Sequence, residues 1–180
     1  MIARFRRIVP LKKLLRRCFI VGVLAGAIAF LPICAPAEAD GLPSSGTVTS
    51  IIDGDSLVVR HRGGSRQVRL WGIDAPEWDQ PHAHHAKALL RRMLLGRKVR
   101  MEPYTLDKYG RIIAQVYLQD QSVNQLLVER GYAWVHIYYC RDAVCKKWKR
   151  VQAQAQKRGD GLWRDRGAVP PWQWKRMRKR

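Results

Sequence analysis

Acidic residues are in short supply: 14 Asp and Glu stand against 34 Lys and Arg in 180 residues, a formal charge of +20. A chain this positive is poorly suited to cationic partners and attracts polyphosphates at long range, in a salt-dependent way. Cysteine is also scarce, with four in all, and two of them, Cys18 and Cys34, precede residue 40. A zinc centre on the remaining Cys140 and Cys145 would need two further soft ligands, and only His136 is close in sequence. An oxidising compartment instead permits a disulfide across their C-x4-C loop. No internal repeat is present, so one compact core is expected.

A long apolar run lies at the N-terminus. Residues 1–17 carry Arg4, Arg6, Arg7, Lys12, Lys13, Arg16 and Arg17 with no acid, and Cys18 to Ala35 is apolar. That is the n-region and h-region of an export signal, and Ala35, Ala37 and Ala39 offer small-residue cleavage sites, with Ala37-Glu38-Ala39 the better placed. The mature chain is expected to begin near Asp40 and to be secreted or periplasmic. The alternative is an uncleaved membrane anchor, because the run is at the lower limit of about 18 residues for spanning a bilayer. Ile33 precedes Cys34 where a lipoprotein signal wants a small residue, which argues against lipidation. The resulting division is a signal peptide at 1–39, a folded domain at 40–165 and a basic, Pro- and Trp-containing tail at 166–180. Removing the leader takes away seven bases and one acid, leaving 27 against 13, or +14, so the basicity belongs to the folded domain.

Short Val- and Ile-rich runs between Gly and Asp turns predict strands at Thr47–Ile52, Ser56–Val59 and Gln67–Trp71, a three-stranded meander. From Ala83 to Leu95 the period changes. Ala86, Leu89, Leu90, Met93 and Leu94 share one face and Lys87, Arg91 and Arg92 the other, an amphipathic helix ending at Gly96. Strand character resumes at Lys98–Tyr104 and Arg111–Leu118 across the turn Asp107-Lys108-Tyr109-Gly110. Further helices are predicted at Ser122–Arg130 and at about Asp142–Arg158, closed by Gly131 and Gly159, with an irregular tail. Five strands with a helix between the third and fourth describe an α+β, mainly β chain, an OB-type Greek-key barrel packed with about three helices.

In this basic domain no Lys or Arg occurs between Arg69 and Lys87, yet Asp74, Glu77 and Asp79 all fall there. A second acidic turn, Asp53-Gly54-Asp55, ends the first predicted strand, so the two can converge at one edge of a barrel. Carboxylates from separate loops, without matching His or Cys ligands, suit a hard cation such as Ca²⁺ better than zinc. Pro76 biases Ala75 toward extended backbone, which can turn its carbonyl out as another oxygen ligand. Taken alone, Asp53-Gly54-Asp55 is equally a hairpin turn. Alternation places Arg69 on the face opposite Val68 and Leu70, toward Asp74. A guanidinium beside a cation can neutralise charge growing on a phosphoryl group, and Arg111 supplies a second if its turn reaches the same edge.

Ile52-Asp53-Gly54-Asp55-Ser56, then Val68-Arg69-Leu70-Trp71-Gly72-Ile73-Asp74-Ala75-Pro76-Glu77, then Asp107-Lys108-Tyr109-Gly110-Arg111 resemble, in order and spacing, the motifs of the thermonuclease (staphylococcal, or micrococcal, nuclease) family. The resemblance runs from about Gly46 through Trp163. It implies a catalytic OB-type domain in which Asp55 and Asp74 bind Ca²⁺ with the Ala75 carbonyl, Glu77 acts on the attacking water, and Arg69 and Arg111 stabilise the reacting phosphate. It also implies that Lys108, Tyr109 and Tyr139 contact substrate, while Ile137 stands where the family has a second pocket tyrosine. DNA and RNA are the implied substrates, with 3′-phosphate products. No protein partner is implied, the chain is expected to act as a monomer, and membrane contact is expected only if the N-terminal segment is retained. The rival reading is a non-catalytic OB-type nucleic-acid-binding module, against which the acidic patch speaks, since it repels a polyanion unless a cation intervenes.

Three remaining features are ambiguous. His82, His84 and His85 could share a transition metal, or be a solvated loop and helix start. The bases Lys146, Lys147, Lys149 and Arg150, with the tail from Lys175, could track phosphates or be solvated. Trp172 and Trp174 could stack on bases or pack on the barrel.

Overall fold

The computed structural model describes residues 41–179. The segment expected to direct export, residues 1–39, lies outside the described residues.

Strands β1 (Ser45–Ile51), β2 (Ser56–His61) and β3 (Gly64–Leu70) form the expected antiparallel meander, with Leu57 opposite Val68 and Ser56 opposite Arg69. The turn between β1 and β2 is closed by Asp53, whose Oδ1 accepts the Asp55 N–H at 3.0 Å. Val48, Leu57, Val59, Val68 and Leu70 are buried, as period-two alternation on a closed sheet requires. Each such side chain stabilises the fold by about 1.5–3 kcal/mol. A short strand β4 (Ile73–Asp74) follows, and then helix α1 (Ala83–Leu94), which buries Ala86, Leu90 and Leu94 on one side and ends before Gly96, at φ 76°.

Strand β5 (Lys98–Leu106) pairs with β1, and β6 (Ile112–Leu118) pairs with β5 and also runs parallel beside β3, with Val68, Arg69 and Leu70 opposite Ile112, Ile113 and Ala114. The order β3-β2-β1-β5-β6 thereby closes on itself as a five-stranded OB-type barrel. A two-residue strand β7 (Gln121–Ser122) turns back to pair antiparallel with the end of β6 and leads into α2 (Val123–Glu129), where the Ser122 hydroxyl accepts the Gln125 N–H as an N-cap. Strand β8 (Trp134–Val135) pairs with β4, and α3 (Ala143–Arg158) packs beside α2 and β8 with Trp148 fully buried.

Gly131 and Gly161 bring two segments into backbone contact: the Leu162 N–H donates to Gly131 O at 2.9 Å, and a Cβ on Gly131 would lie 2.1 Å from Asp160 O. A 3-10 turn at Gly161–Arg164 follows α3. The tail is not irregular. Pro171–Arg178 forms a helix, α4, with the proline in its first turn, where the missing N–H costs nothing. The helices therefore number four among the described residues, one more than predicted.

Candidate active site

The β3-to-β4 segment is held from three sides. The His136 N–H donates to Gly72 O at 2.9 Å, Asn124 Nδ2 donates to Trp71 O at 2.9 Å, and Asp74 is paired opposite Trp134. Gly72 takes φ 73°, and a Cβ there would come within 3.0 Å of both Cys140 Sγ and the Trp148 ring. Cys140 and Cys145 are joined as a disulfide with their Cα atoms 5.5 Å apart, and they brace this turn from beneath.

Arg69 leaves β3 on the face opposite Val68 and Leu70 and spans two carboxylates. Its Nη1 lies 2.7 Å from Asp55 Oδ2 and its Nη2 lies 2.5 Å from Asp74 Oδ1. Asp55 Oδ1 also accepts the Ser56 hydroxyl at 3.1 Å, and Oδ2 accepts the Ala75 N–H at 2.6 Å. Asp55 and Asp74 are 5% and 3% exposed, so neither charge is compensated by bulk water. Burial pushes the Asp55 carboxyl up to about 8, against the pull of the Arg69 guanidinium. Burial raises Asp74 as well, opposed by Arg69 and Lys175. Buried, hard oxygen donors from separate loops, held back from ionising, are the donor set of a site that favours an added cation. The side chains fit a hard divalent ion as two carboxylates supplemented by backbone and water oxygens. Among the described residues, no three His, Cys, Asp or Glu side chains cluster as a metal site by themselves.

A cleft opens over this pair. It is lined by Asp53, Asp55, Ser56, Arg69, Asp74, Ala75, Pro76, Glu77, Trp78, Arg111 and Lys175. The five charged side chains singled out by sequence, Asp55, Arg69, Asp74, Glu77 and Arg111, therefore meet in one place, although they come from three separate segments. Arg111 is braced by Asp107, whose Oδ2 accepts its Nε–H at 2.7 Å, leaving its terminal nitrogens as further donors. Ala75 meets the site through its N–H to Asp55. Lys108, Tyr109 and Tyr139 lie outside the lining. Tyr109 and Tyr139 are exposed, Lys108 Nζ sits 4.9 Å over the Tyr109 ring, and Tyr139 packs 4.5 Å from the His136 ring. His136 is driven down to about 4 by its burial and then by the charges of Arg69 and Lys175, so it is a neutral ring at neutral pH.

The histidine run forms no shared site: His82 Nε2 lies 2.7 Å from Asp165 Oδ2, while the His84 and His85 rings lie 3.8 Å apart, tilted by 40°. Trp172 and Trp174 pack against the domain, Trp172 on His136 at 5.3 Å and Trp174 through Nε1 to Asp79 Oδ1 at 3.2 Å. Lys175, which the sequence places only at the start of a basic tail that could track phosphates, belongs to the cleft itself, with its Nζ 2.8 Å from Glu77 Oε1. Its signal was present but faint: Pro171 at a helix start, with Lys175 one turn on.

Residues 67–165 match the family model described as staphylococcal nuclease homologue. An uncharacterized endonuclease of Escherichia coli is 37% identical over 131 residues, 72% of this chain and 84% of that protein. An uncharacterized endonuclease of Haemophilus influenzae is 37% identical over 133 residues, 73% of each chain. A micrococcal nuclease of Shigella flexneri is 31% identical over 162 residues, 85% of this chain and 91% of its own length. The barrel closed by β3 and β6, the match to the family model and the extent of the three alignments place this protein in the staphylococcal nuclease homologue family.

Proposed function

We propose that this protein is an exported, calcium-dependent nuclease that hydrolyses phosphodiesters of DNA and RNA and leaves 3′-phosphate ends. The observation that carries the reading is the convergence of Arg69, Glu77 and Arg111 with the buried pair Asp55 and Asp74 in one cleft. The names of the relatives, endonuclease and micrococcal nuclease, support the same class of reaction.

In hydrolysis the oxygen of water bonds to phosphorus, and the bond from phosphorus to the 5′ oxygen breaks. The proton lost by water passes to Glu77, and the departing oxygen takes a proton from solvent. Arg69 and Arg111 offer N–H donors to the equatorial oxygens, where charge grows as phosphorus becomes five-coordinate. In a cleft with low-dielectric walls these donors act more strongly than in water, and their positions are fixed beforehand by Asp55, Asp74 and Asp107. Asp55 and Asp74, with the Ala75 carbonyl, would hold Ca²⁺, which supplies Lewis-acid neutralisation of a phosphoryl oxygen.

The test is cleavage of labelled DNA and RNA by the purified protein with Ca²⁺, then with chelator, beside a Glu77→Ala, Arg111→Ala double variant. Calcium-dependent cutting that vanishes in the variant supports the reading. Binding without cutting under every divalent cation tried would move the protein to the OB-type binding modules.

A further inference from the structure

Helix α4 returns to the acidic loop that follows β4. Gln80 Nε2 donates to Val169 O at 2.5 Å, Trp174 Nε1 and Arg178 Nη1 both donate to Asp79 Oδ1 at 3.2 and 3.1 Å, and Pro171 is buried. These contacts seat the helix without help from Lys175. The Lys175 side chain is nonetheless directed into the cleft, 50% exposed, with its ammonium on Glu77. An ion pair that accessible contributes at most about 1 kcal/mol, so stability is a weak reason for a cation at that position.

Charge supplies a stronger one. Among the side chains lining the cleft, four carboxylates (Asp53, Asp55, Asp74, Glu77) face three cations (Arg69, Arg111, Lys175). With every carboxylate ionised and a divalent cation bound, the cleft carries one net positive charge, which matches a single phosphodiester. Without Lys175 the loaded cleft is neutral and adds nothing of its own to the attraction that the basic chain exerts on its substrate. Proton accounting points the same way. An ammonium 2.8 Å from Oε1 occupies one of the two oxygens with which Glu77 can take a proton from water. An incoming phosphate offers that ammonium a second anion, and a four-carbon stem with three rotatable donors can reach it. Burial works against the Lys175 charge, but the hydrogen bond to Glu77 and the charges of Asp74 and Glu77 outweigh it, so the charged ammonium is favoured where it sits on Glu77.

We propose that Lys175 is a further substrate-binding residue of this site: its ammonium leaves Glu77 for a phosphate oxygen as the strand enters, which makes helix α4 part of the active site. The inference rests on the nuclease reading and deepens it.

The experiment compares the full chain with its Lys175→Met and Lys175→Arg variants. Anisotropy with a fluorescein-labelled single-stranded oligodeoxynucleotide, measured with the divalent cation present and with each protein carrying Arg111→Ala to slow cutting, gives the slope of log Kd against log salt concentration. Steady-state cutting with the supporting divalent cation gives kcat and KM. Losing one phosphate contact makes the slope shallower by about 0.7. Lys175→Met is expected to show that change and a KM raised on the order of tenfold. Lys175→Arg is expected to recover both, with thermal unfolding unchanged in all three. Slopes and KM values that match across the three proteins overturn the proposal while leaving the nuclease reading intact. So does a faster Lys175→Met with an unchanged slope, which would make the ammonium a block on Glu77. A wild type that cuts nothing sinks both readings together.

Discussion

Asp107 grips Arg111 with both carboxylate oxygens: Oδ1 accepts the Arg111 backbone N–H at 3.0 Å, and Oδ2 accepts its Nε–H at 2.7 Å. Oδ1 also accepts the Tyr109 N–H at 2.9 Å, so one side chain both folds the turn and aims the guanidinium. Burial alone would raise this carboxyl, but the hydrogen bonds from Arg111 and Tyr109 outweigh it and hold the group below the usual range. Asp107→Asn keeps an acceptor for the amides and loses the charged grip on Nε. We expect kcat to fall roughly tenfold with little change in melting temperature, as for a lost charge-assisted hydrogen bond. Steady-state kinetics beside a thermal scan checks it.

Arg111 itself is expected to act on the transition state and not in the core. Arg111→Ala should lower kcat by about 10²–10³ while leaving folding intact, the scale of removing a preorganised donor. Normal turnover in the variant would refute its assignment.

The buried carboxyl of Asp55 gives the protein a pH signature. Its value rises from 3.8 to about 8 on folding, so between those limits the folded state binds more protons than the unfolded one. Stability then falls as pH rises through that window and levels off above it. Urea unfolding in chelator at pH 7, 8 and 9, above the range in which the lowered His136 contributes the opposite slope, should show the decline, and Asp55→Asn, which mimics the protonated form, should flatten it. A wild-type profile that rises over this range would contradict the burial argument.

Asn124 is fully buried and joins two segments, accepting the Val116 N–H on Oδ1 at 3.0 Å and donating from Nδ2 to Trp71 O. Asn124→Leu leaves a buried N–H and a buried carbonyl short of partners, at a cost of about 3 kcal/mol. At constant slope the urea midpoint should drop by that free energy divided by the slope. Turnover at low temperature should also suffer, because Trp71 lies on the segment between Arg69 and Asp74.

The Cys140–Cys145 bridge closes a short loop, so reducing it should cost about 2 kcal/mol by the chain-entropy estimate. Unfolding with and without reductant measures this. Mass spectrometry that finds two free thiols in protein recovered from an oxidising compartment would remove the bridge from the account.

Much of the site was legible in the chain because its signals are local. The stretch without bases between Arg69 and Lys87 isolates Asp74 and Glu77 from their surroundings, and the Asp53-Gly54-Asp55 turn announces itself by composition. Alternation in β3 correctly sends Arg69 away from Val68 and Leu70, since period two leaves it no other face. Helix α1 was equally readable from Ala86, Leu90 and Leu94 at helical spacing. The helix at Pro171–Arg178 was not. Only Pro171 in it is buried, and what seats the segment is hydrogen bonding to Asp79 on a loop nearly a hundred residues earlier.

By itself the sequence determined the meander, the helix that follows it, the acidic island and the two arginines, because each depends on periodicity or composition within a few neighbouring residues. Tertiary structure alone decided the rest. The parallel pairing of β3 with β6 closes the barrel and carries the Asp107–Arg111 turn to the rim where Asp55 and Asp74 share Arg69. The return of α4 brings Lys175 onto Glu77. Both are contacts between distant parts of the chain, fixed by which buried surfaces and charges complement one another once the chain has closed, and no local pattern encodes that match.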